Sequence, residues 1–146
     1  NIVIVNPDGI HFGTGSVVDE NQIIATAAYI SDENFVGGIL TFDRPGNPRA
    51  SIVNEGTITV KEYGLASFVA PSVRNAGTIA ARLGTIGLAA GNTFTIDPYG
   101  DGLIKLAVGD EILDEVVDVA TGETVTDLVK NEGTLKAKKT GSNHFV

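Results

Sequence analysis

Two phrases return at a fixed interval near the middle of this 146-residue chain, and that interval limits what the chain can fold into. Ile52-Val53-Asn54-Glu55-Gly56-Thr57-Ile58-Thr59 reappears as Ser72-Val73-Arg74-Asn75-Ala76-Gly77-Thr78-Ile79-Ala80, with Asn, Gly, Thr and Ile each recurring 21 residues later. Gly64-Leu65-Ala66-Ser67-Phe68-Val69-Ala70-Pro71 is answered 20 residues on by Gly84-Thr85-Ile86-Gly87-Leu88-Ala89-Ala90-Gly91. The first phrase returns as Lys130-Asn131-Glu132-Gly133-Thr134-Leu135-Lys136. The second begins again at Gly141 and puts Phe145 where Phe68 and Leu88 stand.

A period of about 20 residues marks a solenoid, and this unit is too short for a helix pair. Its runs are strand-like and rich in Val, Ile and Thr. An all-β fold follows: a parallel β-helix in which equivalent residues of successive coils stack about 4.8 Å apart. Ile58, Ile79 and Leu135 then form one interior file, and Phe68, Leu88 and Phe145 another. Asn54, Asn75 and Asn131 line a corner, as a side-chain ladder or as turn caps. Gly56, Gly77 and Gly133 are placed at bends that need positive φ. The length allows about seven coils.

The net charge of −8 argues against nucleic acid as a partner. Residues 110–127 carry seven acids and no Lys or Arg, while the remainder is close to neutral. With no cysteine there is neither a disulfide framework nor thiol chemistry. No apolar run is long enough to span a bilayer. Both ends fall inside strand-like or repeated segments. Residues 1–146 are therefore read as a single β-helix domain, itself a fragment of a longer protein.

Along the chain, Asn1–Val5 reads as a strand, Asn6-Pro7-Asp8-Gly9 as a turn and Ile10–Gly13 as a second strand. A bend at Gly13–Ser16 leads to Val17-Val18. Ile23–Ile30 reads as strand plus bend, Ser31–Phe35 as one capped helical turn, Gly37–Phe42 as a strand and Asp43–Pro48 as an exposed loop. Beyond the clean coils come strands at Thr93–Ile96 and Leu103–Val108 around a turn at Asp97–Gly102. The acidic 110–127 stretch interrupts the repeat. Val116–Ala120 and Glu123–Thr126 read as an extra-helical hairpin projecting from the stack. Ile112, Leu113, Val116 and Val117 alternatively suit a short amphipathic helix, and one helical turn followed by the hairpin is the reading adopted.

The run Ile4-Val5-Asn6-Pro7-Asp8-Gly9-Ile10-His11-Phe12-Gly13 closely resembles the N-P-N-G-I-x-F-G motif of two-partner secretion exoproteins. These are the filamentous-haemagglutinin-like adhesins, haemolysins and contact-dependent inhibition proteins of Gram-negative bacteria. Ala25-Thr26, Ile30-Ser31-Asp32, Phe35, Thr41-Phe42, the N-x-G-T-I repeats, Val69–Val73, Leu88–Gly91 and Asp101–Leu103 extend the resemblance in the family's order. It implies a right-handed parallel β-helix. It also implies a secretion domain that the POTRA domains of a partner outer-membrane barrel recognise in the periplasm and pass to the cell surface. Asn6, Pro7, Asp8, Gly9 and Ile10 then become candidate transporter-recognition residues. Asp8 stands where the family has Asn, and either residue serves the turn. The family's earlier segment, including a further asparagine-rich motif, is missing before Asn1, and 110–127 looks longer and more acidic than the family norm. The motif is also explained as a turn that fixes the fold.

Parallel β-helices also host polysaccharide lyases and hydrolases, whose glycoside chemistry needs paired carboxylates. Asp97, Asp101 and Asp43 are scattered carboxylates, and no acidic pair recurs on adjacent coils. Asp97–Gly102 departs from a calcium loop, with Tyr99 and Val108 where acidic ligands belong. His11 and His144 have no cysteine or second histidine beside them. Ser67 lacks a nucleophile-elbow context. The reading is a non-enzyme without cofactor or metal, with a polysaccharide-processing enzyme or a passive adhesin stalk segment as alternatives.

Overall fold

The chain turns three corners in each coil, laying its strands on three parallel sheets. The computed structural model describes residues 1–97, 104–106, 115–137 and 142–145. The first coil holds β1 (Ile2–Val5), β2 (Ile10–Phe12) and β3 (Val17–Glu20). The second begins with β4 (Ile23–Thr26), leaves the stack through α1 (Asp32–Val36) and β5 (Thr41–Phe42), and resumes as β6 (Ser51–Asn54) and β7 (Thr57–Val60). The third is β8 (Leu65–Ala70), β9 (Ser72–Asn75) and β10 (Thr78–Ala81). The fourth begins with β11 (Thr85–Ala90), leaves through β12 (Phe94–Ile96) and β13 (Ile104–Leu106), and resumes as β14 (Val129–Asn131) and β15 (Thr134–Lys136). The strand β16 (Ser142–Phe145) opens a fifth.

The first sheet is β1-β4-β8-β11-β16, the second β2-β6-β9-β14 and the third β3-β7-β10-β15. Every pair within them is parallel, and the repeat read in the sequence is their register. Asn54 pairs with Asn75 and Asn75 with Asn131. Ile79 pairs with Ile58 and Leu135, and Leu88 with Phe68 and Phe145. The chain is a parallel β-helix.

Among the described residues the stack holds four coils and one further strand, not about seven. Both departures, 27–50 and 91–128, leave after a strand of the first sheet and return at the second. A period counted over the whole length mistakes those residues for coils.

Two apolar clusters hold the structure. Ile23, Ala25, Ile52, Ile58, Phe68, Val73, Ile79, Ile86 and Leu88 fill the inside of the helix. Phe12 meets Phe68 there edge-on, with ring centres 6.1 Å apart. Outside the first sheet, Ile24, Val69 and Ala89 pack against Phe42, Phe94 and Ile96. The strands β5, β12 and β13 form an antiparallel sheet over that face. The Phe42 and Phe94 rings stack 4.5 Å apart. The first sheet is thus covered on both sides, which is why all six residues of β8 are buried and its sequence lacks polar alternation. On the third sheet, by contrast, β7 alternates exposed Thr with buried Ile and Val.

The helical turn forms where its cap predicts. Asn34 N donates to Ser31 Oγ at 3.1 Å, and Asp32 and Glu33 occupy the first turn. The strand read over Gly37–Phe42 is only Thr41–Phe42, because Gly38 takes φ +71 and Ile39 N still donates to Asn34 O. The Asp97–Gly102 turn, the ends of the Leu103–Val108 strand and the alternative helix at Ile112 and Leu113 lie outside the described residues.

The hairpin is present. Val117 and Thr124 form an antiparallel bridge, and Asp118 N donates to Glu123 O. It does not project as a solvated protrusion. Val116 and Asp118 are buried, and the hairpin lies along the second sheet. Glu115, Glu123 and Asp127 are exposed, but Asp118 finds Arg74 in that sheet.

Candidate recognition site

The corner between the first and second sheets is built by turns. At the first coil, Asp8 N donates to Asn6 Oδ1 at 3.0 Å and Gly9 N to Asn6 O at 3.1 Å. Asn supplies the side-chain acceptor and Pro7 presets φ for the reversal. Gly9 adopts φ +110, and a Cβ there would sit 2.6 Å from Ser51 O. The turn is tied to its neighbours: Asn6 N donates to Thr26 O, and Asn47 N to Pro7 O at 2.9 Å. Asn6 and Asp8 stay exposed, Pro7 and Ile10 are half-buried, and Gly9 is buried. An Asp at position 8 leaves these bonds unaffected, since only its backbone N–H takes part.

A second turn of the same design stacks beside it, at the end of the Asp43–Pro48 segment expected as an exposed loop. Arg49 N donates to Asn47 Oδ1 at 3.0 Å and Ala50 N to Asn47 O at 3.0 Å. The signal was the repeated Asn-Pro dipeptide. It was hidden because 41 residues separate the copies, about twice the coil period, and the second lies at the end of the 27–50 departure.

The asparagine ladder occupies a different corner, between the second and third sheets. Asn54 Nδ2 donates to Asn75 Oδ1 at 2.8 Å, and Asn75 Nδ2 to Asn131 Oδ1 at 2.9 Å. Asn54 and Asn75 are buried. The site candidates therefore fall into two groups that do not meet: Asn6–Ile10 at one corner, and Asn54, Gly56, Asn75, Gly77, Asn131 and Gly133 at another.

The glycines of the second group need a different explanation from the one given in sequence. Gly56, Gly77 and Gly133 are not at positive φ. They are required by close stacking. A Cβ on Gly77 would lie 2.1 Å from Gly56 O, and one on Gly133 2.0 Å from Gly77 O.

The hairpin crosses both turns. Val117 N donates to Arg49 O, and Arg49 Nε to Glu115 O at 3.0 Å. Val119 N donates to Ser51 Oγ at 2.7 Å. Burial favours the neutral form of Asp118, but the Arg74 hydrogen bond and the N–H groups of Thr121 and Ala120 outweigh it and lower its pKa. The same bond raises that of Arg74. A cleft beside the hairpin, about 350 Å³, is lined by Ser72, Arg74, Asp118, Thr124, Lys130 and Glu132. Its Arg74 is already paired with both Asp118 and Glu132.

Other candidates fall away from this corner. His11 pairs with Glu55 on the next coil. Ser67 Oγ is buried on the outward side of β8 with no hydrogen-bond partner. Among the described residues no group of three or more His, Asp or Glu is placed to hold a metal ion. No described helix is long and apolar enough to cross a membrane.

No family model matches the chain, and no curated protein matches it. Among solved structures, it is similar to the crystal structure of the HMW1 secretion domain from Haemophilus influenzae, with a TM-score of 0.69 and 26% sequence identity. The similarity covers 97% of this chain and 41% of that one. The chain thus spans less than half the length of that domain. The likeness is one of both fold and sequence, across nearly the whole of this chain.

Proposed function

We propose that this chain is the secretion-recognition and β-helix-nucleating module of a large Gram-negative exoprotein, of the adhesin, haemolysin or contact-dependent inhibition kind. In this reading the POTRA domains of a partner outer-membrane barrel bind the chain in the periplasm before it folds. The exposed Asn6 and Asp8 side chains of the Asn6–Ile10 turn carry that recognition. Outside the cell the first coil closes, and its free strand edge templates the next. Folding coil by coil then favours outward movement.

The observation that carries the reading is the placement of an N-P-D-G-I turn at an exposed corner of the first coil, in a stack similar to a secretion domain. Deleting Asn6–Gly9 from the full exoprotein and measuring its surface export tests it. Export lost with the deletion supports the reading. Export at the undeleted level refutes the role of the turn.

A further inference from the structure

Coils of a solenoid hold only their neighbours, so a stack of them can open one coil at a time from an end. The hairpin does not follow that pattern. It belongs to the departure from the fourth coil, yet its bonds go to coils further down. Val119 N donates to Ser51 Oγ of the second coil, 68 residues away. Arg49, at the entry to that coil's β6, donates through Nε to Glu115 O, 66 residues away. Arg74 of the third coil donates to Asp118, 44 residues away. The first coil is met by packing, since a Cβ on Gly9 would come within 3.5 Å of Val119 Cγ2.

The outward side of the second sheet carries the same footprint. His11, Val53, Arg74 and Lys130 stand in one file by register. His11 and Lys130, at its ends, are exposed, whereas Val53 between them is 0% exposed. Strand alternation turns Ser51 and Val53 away from the interior that Ile52 fills. Val53 and Val116 of the hairpin are both buried, and neither belongs to the two apolar clusters. The hairpin is thus centred on the second coil, and its ion pair anchors it to the third.

We propose that the hairpin is a clasp: docked, it makes the first three coils open as one unit, and undocked, it leaves the first and second free to unwind from the end formed by β1, β2 and β3. Loosening the second coil then also breaks its bonds to a hairpin that Arg74 holds in place. The clasp is a property of the folded chain and does not depend on the export reading. Joined to that reading, it marks a point of commitment. In a chain exported in sequence order, coils closed before residues 115–119 emerge can still unwind, and afterwards they cannot.

The test is hydrogen exchange, read by mass spectrometry, on the full exoprotein and its Asp118→Asn variant. The strands β4 and β7 belong to the second coil but lie on the other two sheets. In wild-type protein β4, β6 and β7 are expected to exchange at the rate of β9. In the variant all three quicken about tenfold or more, while β11 and β15 of the fourth coil keep wild-type rates. Quickening confined to β6 overturns the clasp, because the hairpin then shields only the strand it covers. Equal quickening of every strand overturns it as well, because the hairpin then only adds stability to one cooperative stack. No quickening overturns it outright. Should Asp118→Asn not fold, Ser51→Ala removes the Val119 anchor in the second coil and carries the same outcomes. Failure of the clasp leaves the export reading standing, since surface export tests that reading separately.

Discussion

Arg74 Nε donates to Asp118 Oδ2 across 2.8 Å, joining the third coil to a hairpin 44 residues further along the chain. Both side chains are mostly withdrawn from water, at 19% and 9% exposed, so solvent screens the pair less than a surface one. Removing the carboxylate leaves a partly buried guanidinium short of a partner. Asp118→Ala is expected to cost about 2 kcal/mol, read as a lowered urea midpoint.

The same pair sets a pH dependence. The folded pKa of Asp118 lies below its ordinary value of 3.8. Its stabilisation is therefore complete above that value and fades as the pH falls through the lower folded value. Wild-type protein should lose its stability advantage over Asp118→Asn below about pH 4. Urea midpoints of the two proteins that fall in parallel from pH 6 to pH 2 would contradict this.

The asparagine ladder predicts a ranking. Asn75 accepts from Asn54 and donates to Asn131, so Asn75→Ala strips a buried donor below and an acceptor's partner above. A loss of about 2–4 kcal/mol is expected. Asn131 is exposed at the upper end, and Asn131→Ala should cost about 1 kcal/mol or less. Chemical denaturation of the two variants gives the order, and equal losses would exclude the ladder as a stabilising element.

Gly77 and Gly15 separate crowding from conformation. A Cβ on Gly77 meets Gly56 O at 2.1 Å, whereas one on Gly15, at φ +84, meets nothing within 4 Å. Gly77→Ala is expected to cost more than about 3 kcal/mol, since backbone must move. Gly15→Ala should cost only about 1 kcal/mol of backbone strain. Thermal unfolding of both variants distinguishes them.

The antiparallel sheet outside the stack is a separate source of stability. Phe94 is buried and stacked on Phe42, so Phe94→Ala should cost about 3–4 kcal/mol. Hydrogen exchange should then quicken first in β5 and in the outward-facing residues of the first sheet. Quickening confined to the interior file of Ile58 and Ile79 would contradict the two-cluster arrangement.

What could be read from sequence follows from what is local. The stacking of Asn54 on Asn75 and of Phe68 on Leu88 was legible because neighbouring coils repeat nearly the same words. The Ser31 cap and the Thr121-Gly122 hairpin turn were legible because each is a few residues long. The pairing of Phe42 with Phe94 was not, because the two strands come from separate departures and meet only through the outer face of the first sheet. The coil count failed for the same reason. The stacked turn at Asn47 was missed because its register depends on where a 24-residue departure rejoins the stack, residues 27–50. The glycines were assigned to the right places for the wrong cause: contact between coils, not bend conformation, excludes a side chain at Gly77.

The recognition proposed for the Asn6–Ile10 turn of the first coil and the ladder that begins at Asn54 of the second lie at different corners of the stack, and paired variants separate them. The measurement is surface export of the full exoprotein carrying Asn6→Ala with Asp8→Ala, beside a variant carrying Asn54→Ala, each with its urea midpoint determined. The first pair of side chains is exposed and Asn54 is buried. The turn variant should lose about tenfold or more in export for a stability loss of only about 1 kcal/mol, and the Asn54 variant should be destabilised more and yet lose less export. Full export of the Asn6 and Asp8 variant, with export instead following the urea midpoint across both proteins, would contradict the account.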